Sequence, residues 1–154
     1  MSAKNMRSIE IEWPGLEVKV EAQLLDDKAP GTCNAIWNRL PFQSVQDHAL
    51  SAGQIILCSS PIVVPFRENP RPFELGNVWY AADSTDIAIV YGDVTEPATV
   101  PTFATVRQQD VNRLKIAGQR TWENLCHPYA STIWAPYRKS PINVVFRRGS
   151  SIGH

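Results

Sequence analysis

Two stretches near the N-terminus alternate between apolar and polar residues, which is the pattern of a half-buried β-strand. Residues 8–13 place Ile9, Ile11 and Trp13 on one face. Residues 16–24 alternate without interruption, and their apolar positions are Leu16, Val18, Val20, Ala22 and Leu24. Pro14-Gly15 lies between the two stretches and suits the central positions of a type II turn. The pattern therefore predicts an N-terminal β-hairpin.

A helical spacing replaces this alternation at residues 30–40, where the apolar residues follow the i, i+3, i+4, i+7 rule. They are Cys33, Ile36, Trp37 and Leu40. Pro30 suits the first turn of this helix, and Pro41 ends it. A second helix is predicted to begin at Asp110, and Gly118 is predicted to break or kink it.

The remaining apolar runs are short and separated by turn residues. They predict strands at residues 42–49, 54–58, 78–81, 87–91, 102–106 and 142–146, with further candidates at 62–64 and 131–134. Residues 65–73, PFRENPRPF, contain three prolines that cannot donate to a β-ladder, so this stretch is predicted to be an ordered surface loop.

Roughly eight short strands and two helices indicate a mainly β protein, because the helices are too few for alternating βαβ units. The expected architecture is a closed antiparallel β-barrel with the helices covering its ends, and a β-sandwich is the alternative. A length of 154 residues suits a single domain. We expect a loose arm at about residues 1–7 and a C-terminal extension at about 137–154.

Charge and cysteine content narrow the class of protein. Lys and Arg number 15, as do Asp and Glu, so no net charge attracts nucleic acid or an anionic membrane. No apolar run approaches the ~20 residues that span a bilayer, and the N-terminus lacks the apolar segment of a signal peptide. Cys33, Cys58 and Cys126 are odd in number and far apart. These features predict a cytoplasmic protein without a nucleic-acid or membrane partner.

Motifs for cofactors are absent from the sequence. His48, His127 and His154 show no metal-ligand spacing, and the cysteines form no Cys-x-x-Cys pair. The sequence contains no phosphate-binding loop, dinucleotide fingerprint or Gly-x-Ser-x-Gly motif. We therefore expect neither a metal ion nor an organic cofactor.

Two residues are candidates for proton transfer. His48 lies late in a predicted strand with polar neighbours and can act as a general acid or base near neutral pH. Its alternative role is that of a hydrogen-bonded structural histidine. Glu68, in the proline-rich loop, can hold or deprotonate an amine-bearing ligand. Its alternative role is a solvated charge paired with Arg67 or Arg71.

Aromatic residues on the predicted strands are candidates for a pocket wall, although such residues are more often core. The candidates are Trp79, Tyr80 and Tyr91. Alternation places Trp79 and Tyr80 on opposite faces, so at most one of them faces a given pocket. Phe103 and Thr105 share a face of a later strand. Arg107 follows them and is either a clamp for a substrate carboxylate or a surface charge.

Several short motifs occur in an order that resembles a small bacterial family of cyclophilin-like proteins. They are LLDDKAPGTCNAIWNRLPF at residues 24–42, His48-Ala49 followed by Gly53, Glu68-Asn69, Tyr80, Tyr91-Gly92 and Phe103-Ala104-Thr105. The resemblance covers about residues 16–134 and implies a cyclophilin-like barrel. The chain departs from the family at Ser51-Ala52, where Trp-Ser is usual, and at Thr102, where His is common.

The resemblance does not extend to prolyl isomerase activity. True cyclophilins use an arginine in a Phe-x-Arg context followed by Gln-Gly-Gly, and neither motif stands at a matching place in this chain. A more distant cyclophilin-like relative, the opine synthase that makes cucumopine, implies that such a barrel can hold small-molecule chemistry. A shared fold alone does not transfer that reaction.

The resulting hypothesis is a cofactor-independent enzyme of lyase, cyclase or hydrolase type. Its substrate would be a polar metabolite with an amine, amide or carboxylate, bound in the barrel mouth. His48 would move a proton with help from Glu68, and Tyr80 or Tyr91 would donate a hydrogen bond. One alternative is a binding module for a metabolite or a peptide. Another is a subunit of a homo-oligomer that docks through Trp134 and Tyr137.

Overall fold

The computed structural model describes residues 6–126 and 142–150. The strands are β1 (Ser8–Trp13), β2 (Val18–Leu24), β3 (Phe42–His48), β4 (Gly53–Ser59), β5 (Pro70–Pro72), β6 (Asn77–Ala81), β7 (Asp86–Val94), β8 (Thr99–Val106) and β9 (Ile142–Arg148). The helices are α1 (Pro30–Arg39) and α2 (Val111–Cys126), with short 3₁₀ turns at Pro14–Leu16 and Gln108–Asp110.

Eight of these strands close into an antiparallel barrel. Their order is β2-β1-β9-β3-β4-β7-β6-β8, and β8 pairs back with β2. The short strand β5 lies outside the barrel and pairs with β8. The prediction of a mainly β, closed antiparallel barrel with two helices is confirmed, and the sandwich alternative is excluded. The further identification with the cyclophilin fold stays a prediction.

The barrel interior contains the apolar faces that the alternation predicts. Every apolar residue of β1 and β2 that is named above is buried, whereas Leu16 lies in the 3₁₀ turn between the two strands and is half-buried. The largest fully buried side chains include Trp13, Phe103 and Phe146. Helix α1 adds Cys33 and Ile36 to this core, and α2 adds Leu114 and Ala117. Burial of this apolar surface stabilises the barrel by the hydrophobic effect.

Strand β9 lies between β1 and β3 and completes the barrel wall. Phe146 faces Ile11 in β1 and Phe42 in β3, and the rings of Phe42 and Phe146 stack with their centroids 4.9 Å apart. Part of the predicted C-terminal extension is therefore a strand of the barrel. The strand predicted at 131–134 lies outside the described residues. No strand forms at 62–64, although Ile62 and Val64 are buried.

Two glycines behave differently from their predicted roles. Helix α2 runs without interruption from Val111 to Cys126, so the break predicted at Gly118 is wrong. Gly118 is instead the place where the ring of Tyr91 packs, since an added Cβ would lie 2.3 Å from the Cγ atom of that ring. At the first turn, Glu17 rather than Gly15 adopts the left-handed conformation, with a φ of 56°.

In the described residues, no helix is long and apolar enough to cross a membrane.

Candidate functional site

His48 is the last residue of β3 and points into the barrel. Ser44, Gln46 and His48 are buried on one face of this strand, whereas Val45 and Asp47 are exposed on the other. Only 5% of the His48 surface is exposed. The histidine that the sequence singled out is thus an interior residue at the end of a strand.

Hydrogen bonds define the protonation of the His48 ring. Its Nδ1 atom lies 2.6 Å from the carbonyl oxygen of Ala49, which can only accept, so Nδ1 carries a proton. In the neutral ring Nε2 is then the acceptor. The hydroxyl of Tyr91, 2.6 Å away, donates to this nitrogen. The two side chains form a hydrogen-bonded proton donor and acceptor pair.

The surroundings favour the uncharged forms of both groups. Burial lowers the pKa of His48, and the Ala49 carbonyl and the nearby Asp47 carboxylate oppose this shift. Burial raises the pKa of Tyr91. At neutral pH the imidazole is therefore unprotonated at Nε2, where it accepts the Tyr91 hydrogen bond, and the phenol retains its proton. Such a pair can accept a proton from a bound molecule or return one to it.

Helix α2 covers this pair. The ring of Tyr91 packs against Gly118, and the indole of Trp122 lies over His48 with the ring centroids 4.8 Å apart and tilted by 53°. Trp122 is 39% exposed, in contrast to the two buried residues beneath it. Among the described residues, the partly exposed indole of Trp122 thus lies against the buried imidazole.

A buried polar cluster centred on Gln46 adjoins the pair. The side-chain oxygen of Gln46 accepts a hydrogen bond from the indole N–H of Trp13, and its amide donates to the hydroxyl of Thr121. The Sγ atom of Cys58 lies 3.6 Å from the same oxygen. Thr121 in turn donates to the carbonyl of Ala117, at 2.7 Å. Nothing in the local sequence indicates this cluster, although alternation places Gln46 on the same face as His48.

Glu68 lies at the N-terminus of α1. Its carboxylate accepts hydrogen bonds from the backbone N–H groups of Gly31 and Thr32, at 3.2 and 2.7 Å, and from the Thr32 hydroxyl at 2.9 Å. Burial acts to raise the pKa of Glu68, but these hydrogen bonds together lower it. The carboxylate thus attaches the proline-rich loop to the helix, where a negative charge is favourable. Its assistance to His48 stays a prediction.

The other candidate residues lie apart from one another. Trp79 is on the outer face of the barrel beside Phe73, with ring centroids 5.2 Å apart. Tyr80 is in the interior, as alternation requires, and its hydroxyl donates to the carbonyl of Ile62 at 2.5 Å. Phe103 is fully buried in the core.

Two polar candidates of the β8 region also have partners in the protein. Thr105 pairs with Gln23 across the closing seam of the barrel. Arg107 forms an ion pair with Glu21, with the two charged atoms 2.9 Å apart. Of the predicted set, the structure brings His48 and Tyr91 into direct contact. The substrate-binding roles proposed for Trp79, Tyr80, Phe103, Thr105 and Arg107 stay predictions.

A surface groove of about 540 Å³ lies on the outside of the barrel, between β5 and the connection from β7 to β8. It is lined by Pro72, Phe73, Val94, Glu96, Pro97, Ala98 and Thr99. The predicted site residues do not line it. Within residues 6–126 and 142–150, no three His, Cys, Asp or Glu side chains are grouped so that they could hold a metal ion.

Solved structures that are similar to this chain include McbB and the hypothetical protein AF2241. McbB, in a structure described as its complex with tryptophan, superposes with a TM-score of 0.73 at 25% identity over 94% of this chain. The match covers 46% of McbB, so this chain spans about half its length. The hypothetical protein AF2241 from Archaeoglobus fulgidus superposes with a TM-score of 0.60 at 19% identity. That match covers 94% of this chain and 96% of AF2241, and it shows the fold alone.

The sequence comparisons place the chain in a family. No curated protein matches the sequence. The sequence model of a family described as "Protein of unknown function (DUF3830)" matches residues 11–124. This match includes the second half of β1, all of β2 to β8, most of α2, and the residues His48, Tyr91 and Trp122. The chain belongs to the DUF3830 family.

Proposed function

We propose that the protein binds a small polar metabolite at the end of the barrel covered by α2, and that His48 and Tyr91 transfer a proton to or from it. The observation that carries this proposal is the hydrogen bond from the Tyr91 hydroxyl to the unprotonated Nε2 of a buried, neutral His48. An unprotonated ring nitrogen of this kind is suited to general acid–base catalysis near neutral pH.

The geometry supports a relay with a balanced proton count. As an acidic N–H, O–H or C–H group of the metabolite gives its proton to the Tyr91 oxygen, the hydroxyl proton of Tyr91 moves to Nε2 of His48. The resulting imidazolium keeps its Nδ1–H bond to the Ala49 carbonyl, and the Asp47 charge favours it. Reversal of the two transfers returns a proton to the product. The relay requires no cofactor and suits lyase, cyclase or hydrolase chemistry.

The candidate residues and one structural neighbour support a ligand with an amine, amide or carboxylate. A metabolite with an amine, amide or carboxylate offers protons that the pair can exchange. McbB was solved with tryptophan, which carries an amine and a carboxylate. This supports a metabolite of that kind for the present barrel, although the chain spans only about half of McbB.

Access to the pair involves Trp122. Both His48 and Tyr91 are at most 5% exposed, whereas the indole of Trp122, which lies over the imidazole, is partly exposed. A ligand that contacts the Tyr91 hydroxyl therefore requires the indole to shift. Motions of this size in a surface side chain occur readily on the timescale of enzyme turnover.

The proposal can be tested without knowing the substrate in advance. A panel of amino acids, amides and keto acids would first be screened for thermal stabilisation of the protein, and each stabilising compound would then be followed by NMR for conversion. We expect His48→Gln to lower turnover by on the order of 100-fold or more with an unchanged circular dichroism spectrum. Gln43→Ala, an exposed site on the same strand, is the matched control. Normal turnover in His48→Gln would remove the histidine from the mechanism.

A second candidate function is metabolite binding without a reaction. It is favoured by the fact that both ring nitrogens of His48 already have partners within the protein. A compound that stabilises the protein and is recovered unchanged would support this function over catalysis.

A cytoplasmic location also stays a prediction.

Homo-oligomerisation is a third proposal and concerns a different part of the chain. The predicted docking residues, Trp134 and Tyr137, lie outside the described residues. Light scattering coupled to size exclusion would compare the wild type with Trp134→Ala. We expect a smaller species for the variant if the indole belongs to the contact between copies, and equal masses would contradict that role.

A further inference from the structure

A single buried amide joins β3 to α2 next to the site. Gln46 is 6% exposed, and its side chain bonds simultaneously to the Trp13 indole in β1 and to the Thr121 hydroxyl in α2. In the described residues, no buried side-chain nitrogen or oxygen lacks a hydrogen-bond partner. Each polar atom of the cluster therefore has at least one partner, and satisfied buried polar networks favour one arrangement of the elements that they join.

The partner of Gln46 is adjacent to the residue that covers His48. Thr121 immediately precedes Trp122 in α2, and Gly118, which receives the Tyr91 ring, lies one turn earlier. Apolar contacts alone allow a helix to slide or rotate on a barrel, because hydrophobic attraction has no direction. A hydrogen bond between two buried side chains does have a direction. The Gln46–Thr121 bond is thus a directional contact at the turn of α2 that presents Trp122.

Strand β3 contains both Gln46, which binds Thr121, and His48, which contacts Trp122. Gln46 and His48 are two residues apart on one face of β3, so the distance between their side chains is set by the strand itself. Trp122 is next to Thr121 on the opposing helix. Fixing Thr121 against Gln46 therefore places the neighbouring indole against the neighbouring imidazole.

We propose that Gln46 is a positioning residue, which holds α2 across the barrel end and keeps the Trp122 indole on the His48 imidazole. This inference rests on the proposed function of the His48–Tyr91 pair, for which Gln46 would be an indirect contributor. Gln46 contacts neither His48 nor Tyr91 by a hydrogen bond. Its effect passes through the helix.

The test uses the intact protein labelled with 5-fluorotryptophan and needs no ligand. Fluorine NMR would follow the Trp122 signal, assigned by its loss in Trp122→Phe, while pH is lowered through the titration of His48. In the wild type we expect this signal to shift as the imidazole beneath it gains its charge, and in His48→Gln we expect no such shift. In Gln46→Leu we expect the Trp122 signal to move and its response to His48 to disappear.

Two further variants make the result decisive. Thr121→Val removes the same hydrogen bond from the helix side, conserves the shape of the side chain, and leaves the Trp13–Gln46 contact in place. It decides the question if Gln46→Leu does not fold. Ser44→Ala is the matched control, because Ser44 lies on the same face of β3 and donates to the Ser59 carbonyl but not to α2. We expect its Trp122 signal to match the wild type.

The outcomes separate this inference from the proposed function. Wild-type Trp122 signals and pH responses in folded Gln46→Leu or Thr121→Val would overturn the positioning role, even if both variants had lower melting temperatures. A purely structural role predicts that pattern. Failure of the proposed function would appear differently, as the absence of any converted metabolite in a protein whose fluorine spectra behave as expected.

Discussion

The Nε2 atom of His48 and the hydroxyl oxygen of Tyr91 lie 2.6 Å apart, and the tyrosine donates the proton of this bond. Because Nδ1 of the same ring donates to Ala49, the arrangement suits only the neutral imidazole. Addition of a proton to Nε2 would place two donors opposite each other, unless the phenol turned its proton away. The charge of His48 and the direction of the Tyr91 hydroxyl are thus coupled, and this coupling can be measured.

Removal of the Tyr91 hydroxyl should change the pKa of His48. In Tyr91→Phe the neutral imidazole loses the donor that stabilises it, so we expect its pKa to rise from its lowered value. Nitrogen-detected NMR titration of the ring measures this. Tyr80→Phe is the control, because the Tyr80 hydroxyl donates to the Ile62 carbonyl rather than to His48. Both variants should lose about 1 kcal/mol of stability, the usual contribution of a hydrogen bond. An unchanged pKa in Tyr91→Phe would show that the hydroxyl does not act on the ring.

The stability of the protein should depend on pH through His48. Its pKa is lower in the folded protein than the value of about 6.5 expected when unfolded, so the unfolded chain binds more protons in acid. The contribution of the neutral ring is therefore present above about pH 6.5 and is lost as the pH falls through the folded pKa. Urea unfolding between pH 8 and 5 would measure it. The comparison with His48→Gln cancels the effects of the other histidines, and equal slopes in the two proteins would contradict the prediction.

Gly118→Ala should destabilise the protein although alanine is the better helix former. Alanine gains up to about 1 kcal/mol from helix propensity. The added Cβ would lie 2.3 Å from the Tyr91 ring, and overpacking of this kind costs typically about 1–3 kcal/mol. We expect a net loss of about 1 kcal/mol, measured by chemical denaturation. Gly15→Ala is the control, since nothing lies within 4 Å of its added carbon. Gly118→Ala should cost less stability in a Tyr91→Ala background than in the wild type, and that difference would confirm the contact. Equal losses in the two backgrounds would contradict it.

Glu68→Ala should weaken the attachment of the proline-rich loop to α1. We expect a loss of about 0.5 kcal/mol at pH 7, at the lower end of helix-capping effects, because solvent screens this partly exposed carboxylate. Since hydrogen bonds lower the pKa of Glu68, its contribution is present above the unfolded value and lost as the pH falls through the folded one. Urea denaturation at pH 7 and pH 3 measures both. Glu96→Ala, in an exposed loop, is the control and should have no effect.

The spacing of apolar residues along the chain predicts most barrel strands, because those residues contact the core directly. The strict alternation of β2 places Val18, Val20, Ala22 and Leu24 inside, and the i, i+3 spacing of α1 buries Cys33 and Ile36. The short strand β5 appears where three prolines excluded a central strand, and it indeed lies at an edge outside the barrel. The pattern thus predicts the core strands and α1, whereas the loop predicted at residues 65–73 contains the short edge strand β5.

The site was predictable only in part, because its contacts join distant segments. His48 and Tyr91 were both candidates, but no local feature indicated that they touch. Gln46 and Thr121 are 75 residues apart in sequence, and nothing in either segment identifies the other as its partner. Gly118 was interpreted from helix propensity alone, whereas its role is set by an aromatic ring on another element. The sequence offers Glu68 as a ligand-binding carboxylate or as a partner of Arg67 or Arg71, because the helix end that it binds lies in an earlier segment.

The position of β9 has a consequence for synthesis on the ribosome. Strands β1 and β3 emerge early, yet the strand that lies between them is the last element of the described chain. Until residues 142–148 leave the exit tunnel, the nascent sheet has two open edges on either side of the missing strand. Open edges invite pairing with other chains. The nascent sheet is therefore exposed to aggregation until β9 pairs with both neighbours, and chaperone contacts at this seam would protect it.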